Sequence, residues 1–265
     1  MKKAISFVLF ISMIMLPISS CSSANRLSVS SDDYPKLSHM TEGEFDEEKA
    51  MTWFLDNPYS DYTCSVSNKN GELWISNQDH EKRAHIQQFN NGYFFGVDLG
   101  DYDGWVKYSP YNTSLTGDDF QVVSNENCCA IIQKDNQNGY ILTGVRKLLM
   151  DMTSKGSLYT VNYNDIEKAW QWDKVISFDG FPLAYYYSPE FDQFYVVTDE
   201  NILQIQNDNT VETVVSSDLI VQMGANSIVC IDDTLYCGSP AGVYSFNLSS
   251  KEEKWYPMEY EKYVQ

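Results

Sequence analysis

From about Tyr62 onward the chain repeats one short phrase, and this repetition limits what it can fold into more than any other feature. The phrase is a polar turn running into an aromatic or β-branched strand: Asn91-Gly92-Tyr93-Phe94-Phe95, Asn138-Gly139-Tyr140-Ile141-Leu142, Asp192-Gln193-Phe194-Tyr195-Val196 and Asp233-Thr234-Leu235-Tyr236-Cys237. The copies fall about 40 to 55 residues apart, a period typical of repeat architectures. A second strand follows each copy, at Gly104–Tyr108, Gly156–Val161, Ile202–Ile205 and Gly242–Phe246. A third follows at about Phe120–Val123, Trp170–Lys174, Val211–Val215 and Lys254–Pro257, and the strand preceding each polar turn is the fourth. Such a unit cannot bury its own apolar faces, so it must stack on its neighbours.

Four-stranded units at a period near 45 are the signature of a propeller. The stretch from Asp233 through Gly242-Val243-Tyr244-Ser245-Phe246 to Trp255 resembles blades of the broad β-propeller superfamily. The resemblance is one of type, because neither a Trp-Asp dipeptide signature nor an Asp-box marks a particular family. It implies an all-β fold, a β-propeller of about five four-stranded blades, since roughly 225 residues at about 45 per blade make five. Tyr62–Ser67 and Gly71–Ser76 read as half of the first blade. The competing architecture is an irregular β-sandwich with hairpin pseudo-repeats.

Upstream of the repeats the chain changes character. Met1-Lys2-Lys3, an apolar run from Ala4 to Pro17 and then Ile18-Ser19-Ser20-Cys21 have the organisation of an export signal. The apolar run is too short for a bilayer core, which takes roughly 20 apolar residues. Ile18-Ser19-Ser20-Cys21 resembles the lipobox of bacterial lipoproteins. That resemblance implies diacylglyceryl modification of Cys21, cleavage before it, and a membrane partner held through acyl chains. Residues 1–20 are then the signal and 21–40 a Ser-rich flexible tether. Thr41 with Glu44 forms a capping-box pattern that predicts a helix over 41–56, with Trp53 and Phe54 facing the domain. The propeller-like domain occupies 57–265.

The chain carries 37 acidic against 18 basic residues, a net charge of −19. Such a surface repels nucleic acid and anionic lipid headgroups, which excludes nucleic acid as an expected partner. Besides Cys21 the cysteines are Cys64, Cys128, Cys129, Cys230 and Cys237. An exported chain can form disulfides, and Cys230 and Cys237 flank the turn Asp232-Asp233, where they would face each other across a hairpin. The spacing fits no zinc template.

Binding groups on a propeller are expected on loops. The strand order brings four segments to one face: Asp98–Gly104, the insertion Val145–Lys155, Thr198–Asn201 and Ser239-Pro240-Ala241. The ligand-binding candidates are Trp105, which would stack on a sugar ring, Arg146 and Lys147 in the insertion, and Asp199 with Glu200. Asp98, Asp101 and Asp103 give closely spaced carboxylates of the kind Ca²⁺ takes, against the simpler reading of an acidic hairpin turn. Trp170 and Trp172 read as inter-blade core. His39, His80 and His85 sit in polar surroundings that suit solvated turns better than a catalytic base, and no Gly-rich phosphate loop is present. The expectation is an exported lipoprotein, anchored to the cell envelope, that acts as a non-enzymatic binding module for a protein or a glycan. The alternatives are a polysaccharide hydrolase or lyase and a scaffold component of an envelope assembly.

Overall fold

The computed structural model describes residues 37, 40–44, 64–76, 84–100, 102–110 (102 and 103 by backbone only), 120–146, 154–217 and 224–258. Eighteen strands cover them, and no α-helix occurs among them. Blade 1 is a hairpin of β1 (Ser65–Lys69) and β2 (Glu72–Ser76). Blade 2 holds β3 (Ala84–Phe89), β4 (Gly92–Leu99), β5 (Tyr102–Ser109) and β6 (Gln121–Ser124). Blade 3 holds β7 (Asn127–Gln133), β8 (Asn138–Val145), β9 (Lys155–Asn164) and β10 (Ala169–Asp179). Blade 4 runs from β11 (Pro182–Ser188) through β12 (Gln193–Thr198) and β13 (Ile202–Ile205) to β14 (Val211–Val215). Blade 5 is β15 (Ser227–Ile231), β16 (Thr234–Ser239), β17 (Gly242–Asn247) and β18 (Glu253–Pro257). Each sheet is an antiparallel meander in chain order, as short polar turns require.

The turns explain the meander. Asn70 and Gly71 both adopt positive φ, 58° and 86°, in the two-residue loop joining β1 to β2, the backbone that matches strand twist in a tight hairpin. The outer hairpins of blades 3, 4 and 5 each place one residue in the left-handed region, Lys168, Asn209 and Lys251, so the repeat extends to backbone conformation. Alternation along the strands then sends apolar side chains to both faces of each blade.

Those faces meet in four apolar clusters, at four of the five joints. Phe89, Phe94, Val106 and Trp170 lie between blades 2 and 3. Leu142, Leu158, Phe194 and Val196 lie between blades 3 and 4. Val197, Ile202, Leu235 and Tyr244 lie between blades 4 and 5. Cys64, Val66, Ile75, Val229 and Val243 lie between blade 5 and blade 1. No such cluster joins blade 1 to blade 2 among the described residues. Close approach is built in at Gly96, where a Cβ would sit 2.2 Å from the Cys128 sulfur and hold blades 2 and 3 apart.

Three expectations meet the structure here. The half blade read at the start of the repeats is present as the two strands β1 and β2 among the described residues, and the other four blades have four strands each. Thr41 to Glu44 is extended rather than the start of a helix: the Gly43 N–H donates to the Trp255 carbonyl at 3.0 Å, and the two residues form an antiparallel bridge. The open edge of β18 offers backbone partners that a local capping pattern cannot match. The remainder of that predicted helix, 45–56, lies outside the described residues. Third, the end of the expected tether is docked, because Leu37 and Met40 pack on the cluster between blades 5 and 1.

Candidate functional site

The first strand of every blade faces the axis, and together the five enclose a cavity of about 750 Å³. Blade 1 contributes Val66; blade 2, Ala84 to Gln87; blade 3, Cys129 and Ile131; blade 4, Leu183 to Tyr185; and blade 5, Asn226 to Ile228. None of these lining residues carries a carboxylate, an ammonium or a guanidinium group. The polar groups at the wall are the His85 imidazole, the Gln87 and Asn226 amides, and the Tyr185 and Ser227 hydroxyls.

One side of that wall is held rigidly. Ser227 Oγ donates to Asn226 Oδ1 at 2.8 Å and accepts the Val66 N–H at 2.8 Å, while Ser65 Oγ donates to the same amide oxygen at 3.3 Å. These bonds also stitch β1 to β15. Gln87 Nε2 donates to Gln133 Oε1 at 2.9 Å, tying blade 2 to blade 3. Tyr185, 37% exposed, lines the cavity, and burial first, then its proximity to Cys128, raises its phenol above the usual range. Half-buried Cys129 is raised well above a normal thiol, first by burial, then by Cys128 and Asp98, with Arg146 opposing.

Sequence reasoning did not single out Tyr185, Asn226 or Ile86. Their signal was their place on the strand that opens each repeat, which topology turns toward the axis. His85, expected in a solvated turn, is instead a strand residue of β3 opposite Gly96, and its side chain lines the cavity.

Three expected ligand residues come together on the loop face between blades 3 and 4. The Arg146 guanidinium lies 4.2 Å from the centre of the buried Phe181 ring. The Phe181 N–H donates to Asp199 Oδ1 at 2.6 Å, and the Asp199 N–H returns a bond to the Phe181 carbonyl at 3.1 Å. Asp199 therefore pins the blade connection. The adjacent Glu200 is raised above the usual carboxylate range, by burial first and then by Asp199 and Asp179. Trp105 is elsewhere, half-buried on β5 with the Lys107 ammonium 4.5 Å from its ring centre. Lys147 and Cys21 lie outside the described residues.

Asp98 Oδ1 accepts the Gly100 N–H at 2.7 Å, the local bond of an acidic turn. Asn127 clasps the same loop, accepting from the Leu99 N–H at 2.9 Å and donating to the Gly100 carbonyl at 2.7 Å. Asp101 and the Asp103 side chain lie outside the described residues, among which no group of three or more His, Cys, Asp or Glu is arranged to hold a metal. The Cys230–Cys237 pairing is corrected: Cys230 stands opposite Leu235 and Cys237 opposite Ile228, and both thiols are free. A two-residue turn fixes this register and leaves the thiols diagonal rather than opposed. Trp170 is buried core, as expected.

Five sheets set around one axial cavity define the chain as a β-propeller. No family model matches it, and no curated protein matches it in sequence. Solved structures do resemble it distantly. One is a GH43 glycoside hydrolase engineered to display both endo-xylanase and exo-arabinofuranosidase activity, at 13% identity over 72% of this chain and 43% of that one, with a TM-score of 0.34. Another is the extracellular domain of a protein of B. thetaiotaomicron provisionally described as a one-component system, at 12% identity over 69% of this chain and 38% of that one, with a TM-score of 0.31. The chain thus spans less than half the length of either structure.

Proposed function

We propose that the chain is an exported, lipid-anchored binding module that takes a neutral, hydroxyl-rich ligand, a carbohydrate, into its axial cavity. One observation carries the reading: a cavity of about 750 Å³ whose described lining residues offer an aromatic ring and neutral hydrogen-bonding groups, with no carboxylate, ammonium or guanidinium among them. A concave site of that size is in the range of small-ligand pockets. Of the two expected partner classes it favours a glycan over a flat protein surface. Glycoside hydrolysis needs two carboxyl groups flanking the scissile bond, and the described lining residues include none. Anchoring through Cys21 suits such a receptor, and among the described residues no helix is long and apolar enough to cross a membrane.

The test is a glycan array probed with the intact domain, followed by titration calorimetry on each hit. Loss of binding in Tyr185→Ala with retained folding is the expected outcome. Binding that survives both Tyr185→Ala and Asn226→Leu would move the site elsewhere, and turnover of any bound polysaccharide would refute the non-enzymatic reading. Labelled-palmitate incorporation lost in Cys21→Ala checks the anchor.

A further inference from the structure

We propose that residues 37 and 40–44 form a strap that holds one wall of the axial cavity in place, with Leu37 and Met40 as positioning residues for the site. The inference rests on the reading of that cavity as the binding site and adds what keeps the site in shape.

The strap is fastened at two places. Gly43 joins the open edge of β18: its N–H donates to the Trp255 carbonyl at 3.0 Å, and the two residues form an antiparallel bridge. Beside it a Glu42 carboxylate oxygen lies 3.4 Å from the Lys254 ammonium. That pair is largely exposed and contributes little. The fit at the bridge is close, since a Cβ on Gly43 would lie 3.3 Å from the Pro257 ring. Ahead of the bridge, the Met40 N–H donates to the Leu37 carbonyl at 3.0 Å, a turn that sets both side chains against the apolar cluster between blades 5 and 1. Apolar cover at that cluster is the stronger fastening, because it removes both side chains from water.

The same cluster supports the cavity wall. It contains Cys64 and Val66 beside Val229 and Val243. Val66 lines the cavity and its N–H donates to Ser227 Oγ at 2.8 Å, while Ser65 Oγ donates to Asn226 Oδ1 at 3.3 Å. Asn226 and Ser227 are themselves lining residues, so the position of β1 sets the position of these polar groups.

This joint also depends most on added cover. Its cluster has six buried residues, against nine or more in each of the other three, among the described residues. In blades 2 to 5 the inner strand belongs to a four-stranded sheet, whereas β1 pairs with β2 alone among the described residues. A two-stranded hairpin is marginal by itself. It therefore keeps its place through what it packs against, and Leu37 and Met40 are part of that packing. Stability differs from one part of a fold to another, so releasing the strap loosens β1 and its polar partners before the other blades.

The experiment is hydrogen exchange, read by mass spectrometry on the full chain, for wild type, Leu37→Asp/Met40→Asp and Met40→Leu. In the double variant the amides of β1 should exchange about tenfold faster, while those of β8 and β12 keep their wild-type rates. Met40→Leu, which keeps the apolar contact, should match wild type. Unchanged exchange in β1 overturns the strap. Equal acceleration in every blade overturns it too, because the two residues would then serve global stability alone. If the double variant does not fold, Met40→Ala replaces it, with a smaller acceleration expected in β1 only, and its absence counts against the strap in the same way. Each protein is also run on the glycan array. The wild-type signal should fall by about tenfold in the double variant and persist in Met40→Leu. Faster exchange in β1 with undiminished glycan binding overturns the positioning role. An array on which wild type binds nothing refutes the carbohydrate reading, and the exchange pattern then decides the strap by itself.

Discussion

Asp192 is the best place to measure how firmly neighbouring blades are locked. Its Oδ1 accepts the hydroxyls of Tyr140 and Tyr187, each at 2.8 Å, and its Oδ2 accepts Lys134 Nζ at 2.5 Å. Tyr140 and Lys134 belong to blade 3, Tyr187 and Asp192 to blade 4. Hydrogen bonds to a charged group contribute about 1.5–3 kcal/mol each when partly buried, but the Lys134 side chain is 41% exposed, so its share is discounted to about 0.5–1 kcal/mol. Asp192 also holds φ at +49°, which Asn tolerates and Ala does not, a difference of about 1 kcal/mol. Asp192→Asn keeps one oxygen for the tyrosines and loses the ion pair, and should cost about 1–2 kcal/mol. Asp192→Ala loses all three bonds and the backbone preference, and should cost at least about 4.5 kcal/mol. Burial alone would raise this carboxyl, but the bonds from Lys134, Tyr187 and Tyr140 together hold it below its ordinary value. A carboxyl depressed in the folded state stabilises above the unfolded pKa of about 3.9 and loses that contribution as pH falls through the lower folded value. Urea unfolding of wild type and Asp192→Asn should therefore differ fully at neutral pH and converge as the pH drops below about 4. An Asp192→Ala cost under about 1 kcal/mol, or a difference that does not change with pH, would show that the blades are held by apolar packing alone.

Three further outcomes are expected. Gly238→Ala should destabilise by more than the roughly 1–3 kcal/mol of ordinary overpacking, because its Cβ would lie 2.1 Å from the Cys64 carbonyl oxygen, a backbone atom at the blade 5–blade 1 joint that cannot turn aside; thermal melting reads the loss. Asn127→Ala should cost about 2 kcal/mol in urea titrations, since it removes both bonds holding the β4–β5 loop from a buried position. Iodoacetamide at pH 8 should leave Cys64, Cys128 and Cys237 unmodified in the native protein, because burial pushes Cys64 up to about 12 and the other two up as well. Cys230→Ser should leave the melting temperature unchanged, as expected for a thiol outside any disulfide.

The repeat was legible because strand period and turn chemistry are local. Val211–Val215 and Ile202–Ile205 are strands over the ranges the sequence marks, and the polar turns before Tyr93, Tyr140, Phe194 and Leu235 each open the second strand of a blade. Thr41 and Glu44 misled for the opposite reason. A capping pattern is a local preference, and the edge of β18, distant in sequence, supplied a better backbone partner for Gly43. The site was less legible still. Arg146, Asp199 and Glu200 stand out in the sequence because they sit in loops between apolar strands, and they do not line the cavity, whereas His85 and Tyr185 lie inside strands and differ from core residues only in the direction they face.

Alternation and spacing by themselves determined that this chain would be a series of small antiparallel sheets, because each polar turn and each apolar pair is read within a few residues. That the sheets close around an axis, which strand faces it, which blades share a core, and whether Cys230 meets Cys237 were decided only by the tertiary structure. Each depends on the packing of one blade against another or on a register fixed across a turn, and a linear pattern of apolar and polar residues does not encode that direction.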